Sequence, residues 1–580
     1  MRRIGKRQPT LMSKKFYSML LGGTLTMIVV SALLMADSVI AGTFIGSDAV
    51  AGITLVTPLY ALSAFFGSVF SLGVPIVYSA KMGKFDKRGA DQTFGFGLLM
   101  AAAVGVLLFL TVAIGGDAYL QSSFPSARAL AEARGYLSWM RFTILLLPPQ
   151  MLIAEAVYSD GDETLSTIAN AVQGGGNLVA SILLSRSMGI RGIGLASFLF
   201  NGISLLILFT HFLKKSNSLQ LNLYFSFDIL KAVARCSIID ASSYLFISIL
   251  TAVLNRFVSA QFGAEYLILV SVIALGRELQ LLFDGIGEAI TPILSVYLGE
   301  GCTSGVQSIY KLAQKTAVIE GLVVTAVLML CAPLIPGILD IADPALVRQA
   351  VVLTRLSALG SVFVSLLYLL TSYYLLIEKI ALGLMASALR DVLVSAPLAV
   401  LLGKIGGVYG FSVGLAAAPA LAYGLVIAYI CLRYGRGNCP IFLSELTGGR
   451  RSELYSLATE PEQIIALQKT VEALLRENGF DKRTVGRVKL LIEELFMLIR
   501  EKNGGKAVLA ECALLLRPEG IQIITRDEGV LFDIAEEDVT VTSIAAFAVS
   551  GYMEKLGLNK RYLTTMSFNR SSFLIKTRAD

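Results

Sequence analysis

A single carboxylate interrupts the first long apolar segment of the chain. Asp37 lies within MIVVSALLMADSVIAGTFIGSDAVAG at 27–52, in an apolar run that begins at Phe16 and is long enough to cross a bilayer as a helix. A carboxylate at membrane depth is costly and is typical of a functional position. At 1.5 Å per residue, Asp37 lies about 15 Å from the Ser47 end, too far to reach the interface easily. The pattern therefore favours a functional acid over a capped acid near a helix end.

Other acids fall within apolar segments in the second half of the chain. The candidates for a cavity lining are Asp240, Glu278, Asp284 and Asp391. Arginines in the same segments offer partners for them, and paired charges inside a membrane often serve only to fix helices. For these four acids, a structural role and a functional role both remain open.

The composition indicates a polytopic membrane protein followed by a more polar tail. The chain has 580 residues, of which 55% are hydrophobic and 16% are charged. Apolar segments of roughly twenty residues recur up to Leu432, whereas no segment after Arg433 could span a bilayer. The net charge of +7 needs no nucleic-acid partner, because the cations flank the apolar segments.

The segments predict twelve transmembrane helices with both termini in the cytoplasm. Breaks rich in Lys and Arg, such as KMGKFDKR at 81–88, all fall on one side of the membrane if there are twelve. The basic N-terminus, MRRIGKRQ, then precedes an uncleaved first helix. The predicted spans are 16–43, 49–79, 89–113, 134–159, 163–185, 190–213, 232–260, 266–298, 312–338, 350–376, 381–402 and 407–432.

The apolar region repeats itself with an offset of 217 residues. Gly46 in FIGSDAVAG matches Gly263 in QFGAEYLIL, and Pro75 in LGVPIVYSA matches Pro292 in AITPILSVY. A shared offset over two helices predicts two six-helix lobes in the same orientation, which usually enclose a cavity that opens alternately to each side. The counterpart of Asp37 is Leu254, so the two lobes are expected to differ.

Neither cysteine nor histidine predicts a metal site or a disulfide framework. The six cysteines are scattered without a CxxC motif, and His211 is the only histidine. No metal ligand set follows from these residues.

The tail is predicted to be a small cytoplasmic α+β domain. Apolar residues at helical spacing predict helices at 461–478 and 481–500, and short apolar runs predict strands at 507–516, 520–525 and 567–576. The predicted organisation is a basic N-terminus at 1–15, an N-lobe at 16–225, a C-lobe at 226–436, a linker at 437–460 and the tail domain at 461–580.

The membrane region resembles the multidrug and toxic compound extrusion (MATE) family. The resemblance lies in ADSVIAGTFIGSDAVAGITLVTPLY at 36–60, in GDETLSTIANAVQGGGNLVASILL at 161–184 and in GIRGIGLAS at 189–197. It implies a two-lobed, all-α exporter that exchanges H⁺ or Na⁺ for an amphipathic, often cationic solute.

The resemblance also implies a cation site in the N-lobe. The first-helix aspartate of the family falls on Asp37, and the fifth-helix Asn-x-x-x-Asp pair falls on Asn177 and Ser181, so the second acid is missing. The sixth-helix threonine falls on Ser197, which keeps a hydroxyl. One carboxylate with neutral oxygen partners suits H⁺ better than Na⁺.

The tail resembles the GHKL-type ATPase fold of histidine kinases and anti-sigma-factor kinases. VKLLIEELFMLIREKNG at 488–504 resembles the helix of the catalytic Glu, with Glu494 in place, but Leu498 occupies the position of the Mg²⁺-binding Asn. RDEGVLFD at 526–533 resembles a first glycine box, with Asp527 and Gly529 as the base-binding pair. The Gly-x-Gly-x-Gly segment is replaced by TSIAAFAVSGYMEKLG, so the resemblance implies a degenerate nucleotide-sensing or protein-docking module.

These expectations combine into a monomeric secondary transporter in the cytoplasmic membrane. It exports amphipathic or cationic compounds by alternating access, is not an enzyme and needs no organic cofactor. Its partners are the solute, the lipid bilayer and a cytoplasmic regulatory protein at the tail. Two alternatives remain: a flippase for lipid-linked saccharides, supported by Arg256, Arg277 and Arg390, and a membrane-tethered nucleotide-sensing regulator, supported by the tail alone.

Overall fold

The computed structural model describes residues 2–3, 10–82, 86–160, 162–214, 217, 219–222, 224–447, 451–517, 520–530, 532 and 569–576. Most of these residues are helical. The helices are α1 (Leu11–Phe44), α2 (Ser47–Met82), α3 (Lys87–Gln121), α4 (Ala127–Ser159), α5 (Glu163–Ala171), α6 (Asn177–Met188), α7 (Ile190–Phe209), α8 (Phe227–Phe262), α9 (Ile268–Gln280), α10 (Asp284–Glu300), α11 (Thr303–Cys331), α12 (Ile335–Ile338), α13 (Pro344–Ala358), α14 (Ser361–Leu376), α15 (Ile380–Ala388), α16 (Ser395–Tyr434), α17 (Leu443–Thr447), α18 (Pro461–Glu477) and α19 (Lys482–Lys502).

Local irregularities break several of the membrane helices. Single turns of π-helix, Val172–Gly176 and Leu389–Leu393, join α5 to α6 and α15 to α16. Within α16, Gly406 and Gly407 leave helical geometry, and the φ of +61° at Gly407 is one that residues with a Cβ rarely adopt. This break coincides with the predicted boundary between the last two spans.

Helical structure covers every predicted span, but fewer helices qualify as spans by length and hydropathy. Among the described residues, eight helices are long and apolar enough to cross a membrane. A ninth is obtained if α13 and α14, which meet at a bend of 46°, count as one span. The region is therefore a multi-pass helical membrane region, and the number of twelve spans stays a prediction.

Two contacts fit the 217-residue repeat. The hydroxyl oxygens of Thr54 and Ser271, which the offset pairs with each other, lie 2.5 Å apart. In an arrangement with two-fold symmetry, a residue meets its own counterpart only at the axis. Similarly, Ser31 in α1 donates to a backbone carbonyl of α9, while Ser248, its counterpart in α8, donates to a backbone carbonyl of α2. Corresponding helices thus exchange corresponding contacts.

The chain divides into two compact units, and the predicted domain boundaries stay a prediction. The first unit comprises Met1–Leu25, Asp284–Thr316 and Ile427–Asp580, and the second comprises Thr26–Phe283 and Ala317–Val426. The tail, expected to be a separate domain, groups with the start of α1 and with α10.

The described strands of the first unit form one sheet. Its strands are β1 (Arg2–Arg3), β2 (Ser452–Ala458), β3 (Leu509–Arg517), β4 (Gly520–Asp527) and β5 (Asn569–Lys576), in the order β1-β2-β3-β4-β5. β1 pairs with β2 in parallel and the other pairs are antiparallel. The predicted helices and strands of the tail are confirmed, whereas β1 and β2 were not predicted.

Both faces of this sheet are buried, which explains why the tail does not form a unit alone. Tyr455, Leu514 and Ile523 pack in one apolar core with residues of α18 and α19. The alternating residues on the other face are buried too, including Leu454, Ala513, Ile524, Glu511 and Arg526. Hydrogen bonds join this second face to the start of α1 and the end of α10.

Candidate functional site

Asp37 accepts hydrogen bonds from two other helices of the second unit. The hydroxyl of Tyr136 in α4 donates to Asp37 Oδ2 at 2.9 Å, and the hydroxyl of Ser197 in α7 donates to the same oxygen at 3.4 Å. Asp37 lies past the middle of α1 and is half-buried. A carboxylate held by hydroxyl groups can bind a proton or a small cation on its remaining lone pairs.

Asn177 and Ser181 complete this cluster from α6. Ser181 Oγ donates to Asn177 Oδ1 at 3.2 Å, and Ser197 Oγ lies 3.4 Å from the same oxygen. Asn177 follows the π-turn directly, a kind of irregularity that is frequent at functional sites. The four residues predicted for cation coupling thus lie together, and their role in coupling stays a prediction. We call Asp37, Tyr136, Asn177, Ser181 and Ser197 the Asp37 site.

Tyr136 was not predicted as a member of the Asp37 site. It lies 99 residues from Asp37 in sequence, within RGYLSWMR, and no motif distinguishes it from the other tyrosines. Only the packing of α4 against the neighbouring helices brings its hydroxyl to the carboxylate.

Buried amides extend the Asp37 site along α7. Asn201 Nδ2 donates to the Ser197 carbonyl at 2.9 Å and Gln173 Nε2 donates to Asn201 Oδ1 at 2.9 Å. Gln150 Nε2 then donates to Gln173 Oε1 and to Ser204 Oγ, both at 3.2 Å. Such a network fixes the orientation of Ser197, because a buried amide without partners would be costly.

The donor set of the Asp37 site offers one carboxylate and neutral oxygens. Within the described residues, no group of three His, Cys, Asp or Glu side chains could hold a metal ion.

His211 is buried and its ring nitrogens lie 2.8 and 3.0 Å from carboxylate oxygens of Asp160 and Asp162. Lys214 forms an ion pair with Asp162 at 2.5 Å, so this group joins the segments that follow α4 and α7.

Asp391 is held by two arginines in the second unit. Arg390 Nη2 lies 2.8 Å from Asp391 Oδ2, and Arg277 Nη2 lies 3.1 Å from Asp391 Oδ1. The guanidinium of Arg390 also stacks over the ring of Tyr368 at 3.7 Å. Asp391 and Arg390 are both buried, so this triad links the π-turn after α15 to α9 and α14.

A cavity-lining role for the other predicted acids, Glu278, Asp284 and Asp240, stays a prediction. Glu278 is half-buried in α9, next to Arg277, and its backbone carbonyl accepts from Ser31 at 2.8 Å. Asp284 is the first residue of α10 and belongs to the first unit. The side chain of Asp240 lies outside the described residues.

We expect Asp391→Asn to destabilise the protein rather than to alter coupling alone. Removing the acid leaves Arg277 and Arg390 close together without their shared counter-ion, and breaking a buried pair costs about 3–5 kcal/mol. The thermal unfolding temperature of the purified variant in detergent should fall clearly. An unchanged unfolding temperature together with lost transport would instead assign Asp391 a functional role.

The residues that resemble a nucleotide pocket are engaged within the tail. Asp527 Oδ1 accepts from Asn569 Nδ2 and from the Gly529 N–H, both at 2.9 Å. Burial raises the pKa of Asp527 to about 6, although both hydrogen bonds act in the opposite direction. Asn503 accepts from the Val530 N–H at 2.9 Å, which holds the segment after β4 against the end of α19.

The position that the ATPase resemblance assigns to the Mg²⁺-binding Asn has an apolar side chain. Leu498 is fully buried in the apolar core between α19 and the sheet, whereas Glu494 is half-buried on the same helix. The segment TSIAAFAVSGYMEKLG, predicted to replace the phosphate loop, lies outside the described residues.

Comparisons with known proteins identify the fold. Residues 23–183 match the MatE family model. The structure is similar to an inward-facing multidrug resistance MATE family transporter of the MOP superfamily, with a TM-score of 0.66, 18% identity and coverage of 72% of this chain and 96% of the other. It is also similar to an outward-facing structure with the same family description, with a TM-score of 0.57, 19% identity and coverage of 76% and 97%.

A third similar structure is a MOP superfamily transporter from Pyrococcus furiosus. It has a TM-score of 0.59, 18% identity and coverage of 75% of this chain and 97% of the other, and its description states a reversed polarity of the binding pocket. A search of curated proteins finds no match to this chain. Residues 23–183 thus match the MatE family model, and the chain is a multi-pass membrane protein with the fold of MATE transporters over about three quarters of its length.

Proposed function

We propose that the protein is a proton-coupled antiporter that exports amphipathic or cationic organic compounds across the cytoplasmic membrane by alternating access. The observation that carries the proposal is Asp37, an acid within an apolar helix whose partners are hydroxyl groups of α4 and α7. A carboxylate in such surroundings can gain and lose a proton without disrupting an ion pair. The missing second acid at Ser181 favours H⁺ over Na⁺ as the coupling ion.

Efflux from proteoliposomes tests this function directly. Vesicles loaded with fluorescent organic cations should lose the dye faster when an imposed pH gradient is present than when it is absent. Replacing K⁺ by Na⁺ at constant pH should leave the rate unchanged. Export that follows a Na⁺ gradient and ignores the pH gradient would contradict proton coupling.

A lipid-linked saccharide flippase is the second candidate function. A phosphate-bearing solute would need a cationic cavity, and Arg277 and Arg390 place two cations around the single acid Asp391. Both arginines are already bound to that acid, however, and Arg256 is exposed on α8. The same vesicles with a fluorescent, phosphate-bearing lipid test this candidate by dithionite quenching of the flipped lipid.

We further propose that both termini are cytoplasmic and that the protein is a monomer. We also propose that the tail acts as a regulatory module rather than as an ATPase. Leu498 supplies no Mg²⁺ ligand, and the Asp527 oxygen that accepts from Asn569 is occupied within the tail. A membrane-tethered nucleotide sensor remains the alternative for the tail.

The full-length protein is expected to release no phosphate from Mg-ATP. The test is a coupled phosphate assay on detergent-solubilised protein, with Glu494→Gln as the control, because that substitution removes the acid at the catalytic position. Phosphate release by the wild type that is lost in Glu494→Gln would show that the metal position is misassigned and that the tail is an ATPase.

A further inference from the structure

Glu300, the last residue of α10, is bound by two arginines of the sheet. Arg570 Nε in β5 lies 2.7 Å from Glu300 Oε1, and Arg526 in β4 binds Glu300 Oε2. Arg526 is fully buried and Glu300 is 6% exposed, so water cannot replace either partner. The guanidinium of Arg526 also lies 4.8 Å from the ring centre of Tyr297, one turn earlier in α10.

Glu511 connects the same sheet to the start of α1. Its Oε1 accepts from the backbone N–H of Met12 at 3.3 Å, and its Oε2 accepts from the Tyr297 hydroxyl at 2.9 Å. Met12 lies in the first turn of α1, where backbone N–H groups have no partner within the helix and favour a negative charge. Arg526 Nη1 lies 3.5 Å from Glu511 and balances its charge. We call Tyr297, Glu300, Glu511, Arg526 and Arg570 the clamp cluster.

The clamp cluster joins helices that belong to different repeats. By the 217-residue offset, α1 belongs to the first repeat and α10 to the second. The two helices also touch directly, because a Cβ on Gly23 would lie 3.2 Å from the Gly285 carbonyl oxygen. The sheet therefore fastens the start of a first-repeat helix to the end of a second-repeat helix.

The two attachments of the sheet differ in strength. At α10, Glu300 is held by the fully buried Arg526 and the half-buried Arg570, and Arg517 of β3 donates to the Glu300 carbonyl at 3.2 Å. At α1, the polar contacts among the described residues are the Met12 hydrogen bond and an ion pair of 2.8 Å between Lys14 and Glu528, in which Lys14 is 56% exposed. Exposed ion pairs contribute little, so the described polar contacts hold α1 less firmly than α10.

We propose that the C-terminal sheet is a conformational clamp that stays on α10 and must release the start of α1 in each transport cycle. The inference rests on the proposed function, since alternating access requires the two repeats to separate on one side of the membrane and then on the other. While the sheet holds both helices, the two repeats cannot separate on the side of the membrane at which α1 starts. The tail thereby sets the rate of opening on that side.

A reversible crosslink tests this proposal. Cysteines replace Lys14 and Glu528 in a full-length protein whose six native cysteines have been replaced, and a short bis-methanethiosulfonate reagent joins them. We expect the crosslink to stop dye efflux and a reductant to restore it. The matched control joins Ala458 and Leu509, which pair directly between β2 and β3, and should leave efflux unchanged. Efflux at the same rate in the crosslinked and reduced K14C/E528C protein would overturn the proposal.

A distance measurement separates this proposal from the proposed function. Spin labels at positions 14 and 528 of the protein in nanodiscs should give a short distance and a second, longer one, with populations that change when the pH is lowered or an organic cation is added. A single short distance under all these conditions would overturn the clamp even if the protein transports. A second distance in a protein that transports none of the tested compounds would support the clamp and count against the proposed function.

Discussion

Asp37→Asn is expected to reduce proton-driven efflux to the level of protein-free vesicles. The amide has nearly the shape of the carboxylate and can still accept a hydrogen bond from Tyr136, so the helices should pack as before. The amide cannot take up and release a proton. The variant therefore lacks the group that is proposed to carry the coupling proton. The measurement is dye efflux from proteoliposomes under an imposed pH gradient, with equal protein incorporation verified for each variant.

Two substitutions serve as references for Asp37→Asn. Asp117→Asn removes a carboxylate whose ion pair with Arg134 is exposed, and efflux should not change. Tyr136→Phe removes one hydrogen bond from the Asp37 carboxylate but keeps the acid, and an intermediate rate is expected. Wild-type efflux in Asp37→Asn would exclude Asp37 as the coupling residue. Loss of coupling in Glu278→Gln instead would transfer that role to the second half of the chain.

Arg526→Met is expected to destabilise the first unit by about 3–5 kcal/mol, the usual cost of removing one partner of a buried ion pair. Arg526 is fully buried and binds Glu300, so its loss removes one of the two described arginine side chains that pair with the Glu300 carboxylate and also the guanidinium 3.5 Å from Glu511. Burial lowers the pKa of Arg526 to about 10, and the side chain therefore remains charged at neutral pH. The measurement is thermal unfolding of the full-length protein in detergent, combined with limited proteolysis of the tail.

The exposed ion pair of the same unit provides the control for Arg526→Met. Lys14→Ala removes the partner of Glu528 and should change the stability by less than about 1 kcal/mol. The double variant Glu300→Gln with Arg526→Met removes both charges of the pair and should recover part of the lost stability. Equal effects of Lys14→Ala and Arg526→Met would mean that the clamp cluster is solvated in solution.

The amino-acid sequence alone determined the class of the protein and the identity of most Asp37-site residues. Long apolar segments must become helices in a bilayer, because backbone groups there have no water to bind, so helix positions follow from composition. The position of Asp37 within such a run was visible for the same reason. The 217-residue offset likewise predicted a repeat, and the contact of Thr54 with Ser271 agrees with it.

Only the tertiary structure decided which distant side chains share a site. The hydroxyl of Tyr136 in α4 reaches Asp37 in α1 across 99 residues of sequence, and no local pattern encodes that neighbour. The tail was expected to be a separate domain because its helices and strands follow from local periodicity. Its second sheet face, however, holds Glu511 and Arg526, whose partners lie at the start of α1 and the end of α10. A buried charge requires a partner, because an unpaired one would be costly. Only the fold decides where in the chain that partner lies.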